Sequence, residues 1–140
     1  MIDPIVFLSQ VEICKAHIEN LNDELISLWA MATKITSTLK DDAIFASGNH
    51  DKIAEAVEKI IKQEEEIKKA IEVHNEKINF VYAIISKLQN PDHIKVLYKK
   101  YFKGLTWDDI GKEMYMTSRN AHYIHDEALQ YLTPIINGKD

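Results

Sequence analysis

Residues 105–132, LTWDDIGKEMYMTSRNAHYIHDEALQYL, hold two helix-start signals with a short turn between them. Thr106 can cap a helix that begins near Trp107, and Asp109, three residues on, is placed to reach back as a short capping-box partner. Ile110 and Met114 share one face of that helix, with Gly111 and Tyr115 bordering it, and Gly111 removes the side chain that would hold two crossing helices apart. After a Tyr115-Met116 turn, Thr117 is a second cap. Ser118 and Arg119 open a new helix on which Ala121, Ile124, Ala128 and Leu129 fall on one face. Two short helices joined by a turn of three to four residues form the supersecondary unit that sets its second helix in a DNA major groove.

The chemistry then depends on what the second helix turns outward. A groove reader needs donors and acceptors near its N-terminus for base edges and phosphates, and Thr117, Ser118, Arg119, Asn120, His122 and Tyr123 supply them. Arg119 can bridge a guanine edge or a phosphate and Asn120 can pair with adenine. Ser118, with the free backbone amides of a helix start, can hold a phosphate. The plain alternative is a solvated polar face.

The 140 residues, 46% hydrophobic and 28% charged, suit an ordinary chain of one or two small domains. Cys14 is the one cysteine. It cannot form an internal disulfide, and its place on an apolar stripe reads as a buried thiol in a reducing compartment. There is no apolar run of the roughly 20 residues a membrane span needs and no secretory signal pattern. The expectation is a cytoplasmic protein with no membrane partner. Residues 1–86 hold 9 Lys+Arg against 15 Asp+Glu, and residues 87–140 hold 8 against 7. The positive charge of the second part gathers at Lys95, Lys99, Lys100 and Lys103, upstream of the turn. So small a basic excess neutralises few phosphates, and unaided DNA affinity should be weak, which calls for a second tether.

The N-terminal part has its own regularity. Asp3 and Pro4 make a helix cap and first turn. Phe7, Val11, Cys14, Ile18, Leu21, Leu25, Leu28, Ala32, Ile35 and Leu39 then recur at alternating spacings of four and three, a coiled-coil seam. After Lys40 the run DDAIFASGNH, with Gly48, Asn49 and a capping Asp51, breaks the helix and starts another. Its seam is Ile53, Val57, Ile60, Glu64, Ile67, Ile71, His74, Ile78, Val81, Ile85 and Leu88. Two helices of about 37 residues, about 55 Å long, with a connector of roughly ten residues, predict an antiparallel hairpin. Pairing Leu39 with Ile53 sets the polar seam positions Glu64 and His74 near Leu28 and Ile18. His74 could also meet His17 in a metal or proton-sensing pair, but a structural seam histidine is the reading preferred. Apolar residues off the seam, Ile13, Ile26, Trp29, Ile61, Phe80 and Ile84, exceed what one two-helix contact covers. A homodimer through the hairpin, in the form of a four-helix bundle, is expected from them.

Asn90-Pro91-Asp92 stops the second long helix and starts another, which Gly104 ends. Its Ile94, Leu97, Tyr98 and Tyr101, packed on Ile110, Met114, Ile124 and Leu129, would give a small tri-helical core that includes Trp107. The fold class read from the sequence is all-α: residues 1–89 an antiparallel coiled-coil hairpin, residues 90–140 a compact helix-turn-helix domain.

The segment YKKYFKGLTWDDIGKEMYMTSRNAHYIHDEAL resembles region 4 of bacterial sigma factors, with Tyr101, Gly104, Leu105, Thr106, Ile110, Gly111, Thr117, Ala128 and Leu129 in the matching places. The whole chain is similar to small regulators from phages and prophages of Gram-positive bacteria, the ArpU-like late activator group, in which a long helical hairpin precedes a region-4-like head. The resemblance rests on Ala32 to Thr36 (ATKIT), Ser47 to Ala54, and the spacing of His122, His125, Ala128 and Leu129. It implies a transcription regulator in the bacterial host cell that places its recognition helix on double-stranded promoter DNA and touches RNA polymerase. Candidate polymerase contacts are Lys95, Lys99, Lys100, Lys103 and Trp107. Such a tether would raise effective concentration without new DNA contacts. Asp126 and Glu127 depart from the sigma pattern, which usually offers basic residues there; acidic groups repel phosphate.

Against an enzyme stand the missing phosphate loop, nucleophile motif and carboxylate cluster. No cofactor is expected. His122 and His125 could chelate a metal, but no second ligand pair accompanies them, so a DNA-facing or packed role is the reading preferred and no metal site is assigned. The rival class is a protein-interaction module, in which the helix-turn-helix only completes the fold and the acidic coiled coil engages a host or phage protein.

Overall fold

A computed structural model describes residues 1–39 and 50–138, and among these there is no strand. The molecule is all-helical, with five α-helices in the described residues: α1 (Pro4–Leu39), α2 (His50–Ile85), α3 (Pro91–Leu97), α4 (Trp107–Glu113) and α5 (Ser118–Ile136). The connector read at residues 41–49 and the Leu39 side chain lie outside the described residues.

The start of α1 follows from its sequence. The Asp3 carboxylate accepts the Ile5 N–H at 2.8 Å, and Pro4 sits where its missing N–H costs nothing. Along α1 the described apolar series is covered: Phe7, Val11, Cys14, Leu25 and Leu28 are buried, and Ile18, Leu21, Ala32 and Ile35 half-buried. The series on α2 behaves alike, with Ile60, Val81 and Ile85 buried; Val57 is the exception, 36% exposed. The thiol of Cys14 is free and buried.

Contacts divide the chain into two compact units, residues 16–74 and a second made of Met1–Lys15 with Asn75–Asp140. In the first, Trp29 Nε1 donates to Glu64 at 2.9 Å and the rings of His17 and His74 stack 4.8 Å apart. The two long helices therefore meet in opposite sequence order within this unit. Glu64 also accepts from Lys68 at 3.0 Å. The Trp29 hydrogen bond, then that from Lys68, holds its carboxyl below the ordinary carboxylate value. The two imidazoles lie face to face at 9°, so their in-plane lone pairs do not converge on a common point.

The second unit has two hydrophobic clusters. The larger joins Phe7, Leu8 and Val11 of α1 and Val81 and Ile85 of α2 with Leu88, Leu97, Phe102, Ala128 and Leu132. Leu8, Val11, Ile85, Leu97 and Leu132 are fully covered, and each such side chain contributes about 1.5–3 kcal/mol relative to exposure. The smaller has Val96, Ile110 and Ala121 at its centre, with Leu105, Trp107, Met114, Met116 and Ile124 around them. This corrects the single tri-helical core expected from the sequence. Ile94, Tyr101 and Leu129 pack on the larger cluster, and Val96 serves the smaller one. Adjacent residues on a helix point about 100° apart, so Val96 and Leu97 bury two different faces of α3.

Asn90 caps α3, its side chain accepting the Asp92 N–H at 2.9 Å. The helix then widens into a π turn, Tyr98–Phe102, in place of the continuous helix expected to Phe102. Lys103 N–H reaches back to the Tyr98 carbonyl at 3.2 Å. Tyr98 and Phe102 stack 5.2 Å apart, with Tyr82 edge-on to both. Gly104, at φ 67, ends the turn.

Candidate nucleic-acid interface

The surface of interest is built on α4, the turn after it, and α5. Thr106 caps α4 by accepting the Asp109 N–H at 3.2 Å, and Thr117 caps α5 by accepting the Asn120 N–H at 3.0 Å. Between them the chain closes α4 with a left-handed residue. Tyr115 has φ 57. Its N–H bonds to the Lys112 carbonyl at 3.4 Å, and the Met116 N–H bonds to the Gly111 carbonyl at 2.8 Å. This is a Schellman termination with tyrosine where glycine is usual. Gly111 has a related task. A Cβ there would stand 2.7 Å from the Met116 carbonyl oxygen and 3.1 Å from the Ser118 nitrogen. Its bare face therefore admits the turn and the first residue of α5.

With Ala121 and Ala128 buried and Ile124 half-buried, α5 is fixed by one face and presents another. Arg119, Asn120, His122 and Tyr123 are exposed and Ser118 is half-buried. Ser118, Arg119, His122, Tyr123, Asp126 and Trp107 line one open depression. The structure thus brings five of the six sequence candidates to the leading part of α5 and makes Thr117 its cap. Two are partly engaged. The His122 ring lies 4.6 Å from Trp107 and its Nδ1 stands 3.3 Å from Asp126, while the Asn120 amide touches the Met116 sulfur at 3.6 Å.

His125, three residues after His122, turns inward. It is buried, with Nε2 2.7 Å from the Tyr101 hydroxyl and Nδ1 3.0 Å from Asp126. Burial pushes its pKa below the ordinary histidine value, although the hydrogen bond and charge of Asp126 act the other way. Burial, then the negative charge of Asp126, raises the Tyr101 phenol. Glu127 is 2.8 Å from Nε2 of the buried His93, whose ring faces Tyr131. Both acidic residues that depart from the sigma pattern are thus beside histidines. Among the described residues, no group of three or more His, Cys, Asp and Glu is arranged to hold a metal.

The lysines divide by environment. Lys99 pairs with Glu113, holding that carboxyl below its ordinary value chiefly through the hydrogen bond. The Lys100 ammonium sits 4.6 Å over the Trp107 ring. Lys95 and Lys103 are exposed. Two features escaped the sequence reading: the positive φ of Tyr115 and the His93–Glu127 pair. The packing of His125 on Tyr101 is one of the two roles the sequence left open, and its place four positions from Ala121 and three from Ala128 on the buried face is the signal for it. No helix among the described residues is long and apolar enough to cross a membrane. No family model, curated protein or solved structure matches the chain.

Proposed function

We propose that the chain is a phage-type transcription regulator that binds promoter DNA through a helix-turn-helix of sigma region-4 type and contacts RNA polymerase. The observation that carries this reading is the exposure of Arg119, Asn120 and Tyr123 at the capped start of α5. A helix held by Ala121, Ile124 and Ala128 on its other face can be lowered into a groove without unfolding anything. In the same reading α4, the Tyr115 turn and α5 are the helix-turn-helix, and α1 with α2 is an antiparallel coiled-coil hairpin. The opposite order of the Trp29–Glu64 and His17–His74 contacts supports the hairpin. Arg119 and Asn120 read base edges or phosphates, and Ser118 and Tyr123 hold the backbone. Polymerase supplies the affinity that a net charge of −5 withholds, through exposed Lys95 and Lys103 and the Lys100–Trp107 pair.

The test is substitution at the leading face. Arg119→Ala should lower DNA retention and promoter activity together while the helical circular dichroism stays unchanged. Retention and activity equal to the parent protein would rule out groove reading.

One observation favours a second reading. Within residues 16–74, Ile26, Trp29 and Ile61 are 60%, 47% and 54% exposed, apolar side chains of the kind a protein contact would cover. A protein-interaction module would use such a surface, as would a homodimer through the hairpin.

A further inference from the structure

Tyr115 is at odds with its place. Its φ of 57 lies in the left-handed region, where a residue other than glycine is strained. Its side chain recovers none of this by packing, because the residue is 96% exposed. Glycine would close the same Schellman turn without strain. A strained residue whose side chain gives nothing back to the fold points to a task outside it.

What surrounds Tyr115 says what it can meet. It stands two residues before the Thr117 cap, so it leads the same end of α5 that presents Arg119 and Asn120. Lys112 and Arg119 are exposed on either side of it in sequence, and the one carboxylate nearby in sequence, Glu113, is already paired with Lys99. An exposed phenol with cationic neighbours suits a polyanion with sugar faces. Tyrosine hydroxyls are regular donors to phosphate oxygens.

We propose that Tyr115 is a DNA-contacting residue of the turn. Its ring lies against a deoxyribose, and its hydroxyl donates to a phosphate oxygen of the duplex that α5 enters. The contact is sequence-independent and fixes the angle at which α5 meets the groove. It rests on the DNA-binding reading above, and the controls separate the two.

The experiment measures two quantities on the full chain. Thermal unfolding gives stability. Fluorescence anisotropy with a labelled pool of random-sequence duplexes of about 30 base pairs at low salt gives sequence-independent affinity. Tyr115→Gly should unfold at a higher temperature than the parent protein and yet bind the duplex pool roughly tenfold more weakly. Tyr115→Phe should keep the parent stability and lose only part of the affinity. A residue with a purely structural role would move both quantities in the same direction. If Tyr115→Gly binds as well as the parent while Arg119→Ala binds more weakly, the Tyr115 contact is wrong and the DNA reading stands. A parent protein that does not bind the pool at all overturns the Tyr115 contact, while the promoter test of Arg119→Ala still decides the DNA reading.

Discussion

At Gly111 a single methyl group decides the sign of a substitution. Alanine in a helix is ordinarily worth about 1 kcal/mol over glycine, but here its Cβ would press on the Met116 carbonyl at 2.7 Å, and backbone cannot swing aside. Gly111→Ala should therefore destabilise the protein by about 1–3 kcal/mol in urea unfolding; a gain in stability would mean that the turn and α4 do not meet as described. The close approach was legible in the sequence as a glycine between apolar positions, though the object it approaches proved to be the turn backbone. Tyr115 was not legible, because nothing in a residue type that avoids positive φ announces that the chain will force it there. His125 carries a pH dependence. Its pKa is lowered from 6.5 by burial, so its contribution to stability is complete above the unfolded value and is lost as pH falls through the folded one. Unfolding midpoints measured from about pH 7 down to about pH 5 should fall more steeply for the parent protein than for His125→Gln. Equal slopes would show that His125 is not buried neutral.

At the scale of elements, α5 depends on its cap. Thr117→Ala removes the acceptor for the Asn120 N–H and should cost about 1 kcal/mol. Amide hydrogen exchange should rise in the first turn of α5 while that of Leu132 stays protected; uniform exchange along the helix would contradict the role of the cap. The short helices could be read from the sequence because Thr106 and Thr117 are capping residues followed by apolar periodicity, and both act as caps. The long series on α1 and α2 was legible for a similar reason, since alternate spacings of three and four recur from Phe7 to Ile35 and from Ile53 to Ile85. The π turn at Tyr98–Phe102 was not. The same residues satisfy an α-helical pattern, and the wider turn goes with the stacking of Tyr82, Tyr98 and Phe102, partners that local sequence does not reveal. Nor did the apolar pattern tell that Phe7, Leu8 and Val11 join Leu97, Ala128 and Leu132, because periodicity gives a buried face and not the partner that covers it.

For the whole molecule, charge and exposed apolar surface set the expected behaviour. The −5 net charge leaves the chain no broad basic field, so DNA affinity should depend on a small number of phosphate contacts and show a shallow salt dependence. If the exposed Ile26, Trp29 and Ile61 serve the proposed homodimer, light scattering at micromolar concentration should give a mass above one chain; a monomer mass would remove the homodimer. The proposed entry of the open start of α5 into a DNA groove can be checked by sequencing the DNA that co-purifies with the full chain from cells, beside the double variant Arg119→Ala, Asn120→Ala. Promoter-proximal DNA should be enriched with the parent protein and lost with the variant. The same DNA recovered with both proteins, or none with either, would contradict it.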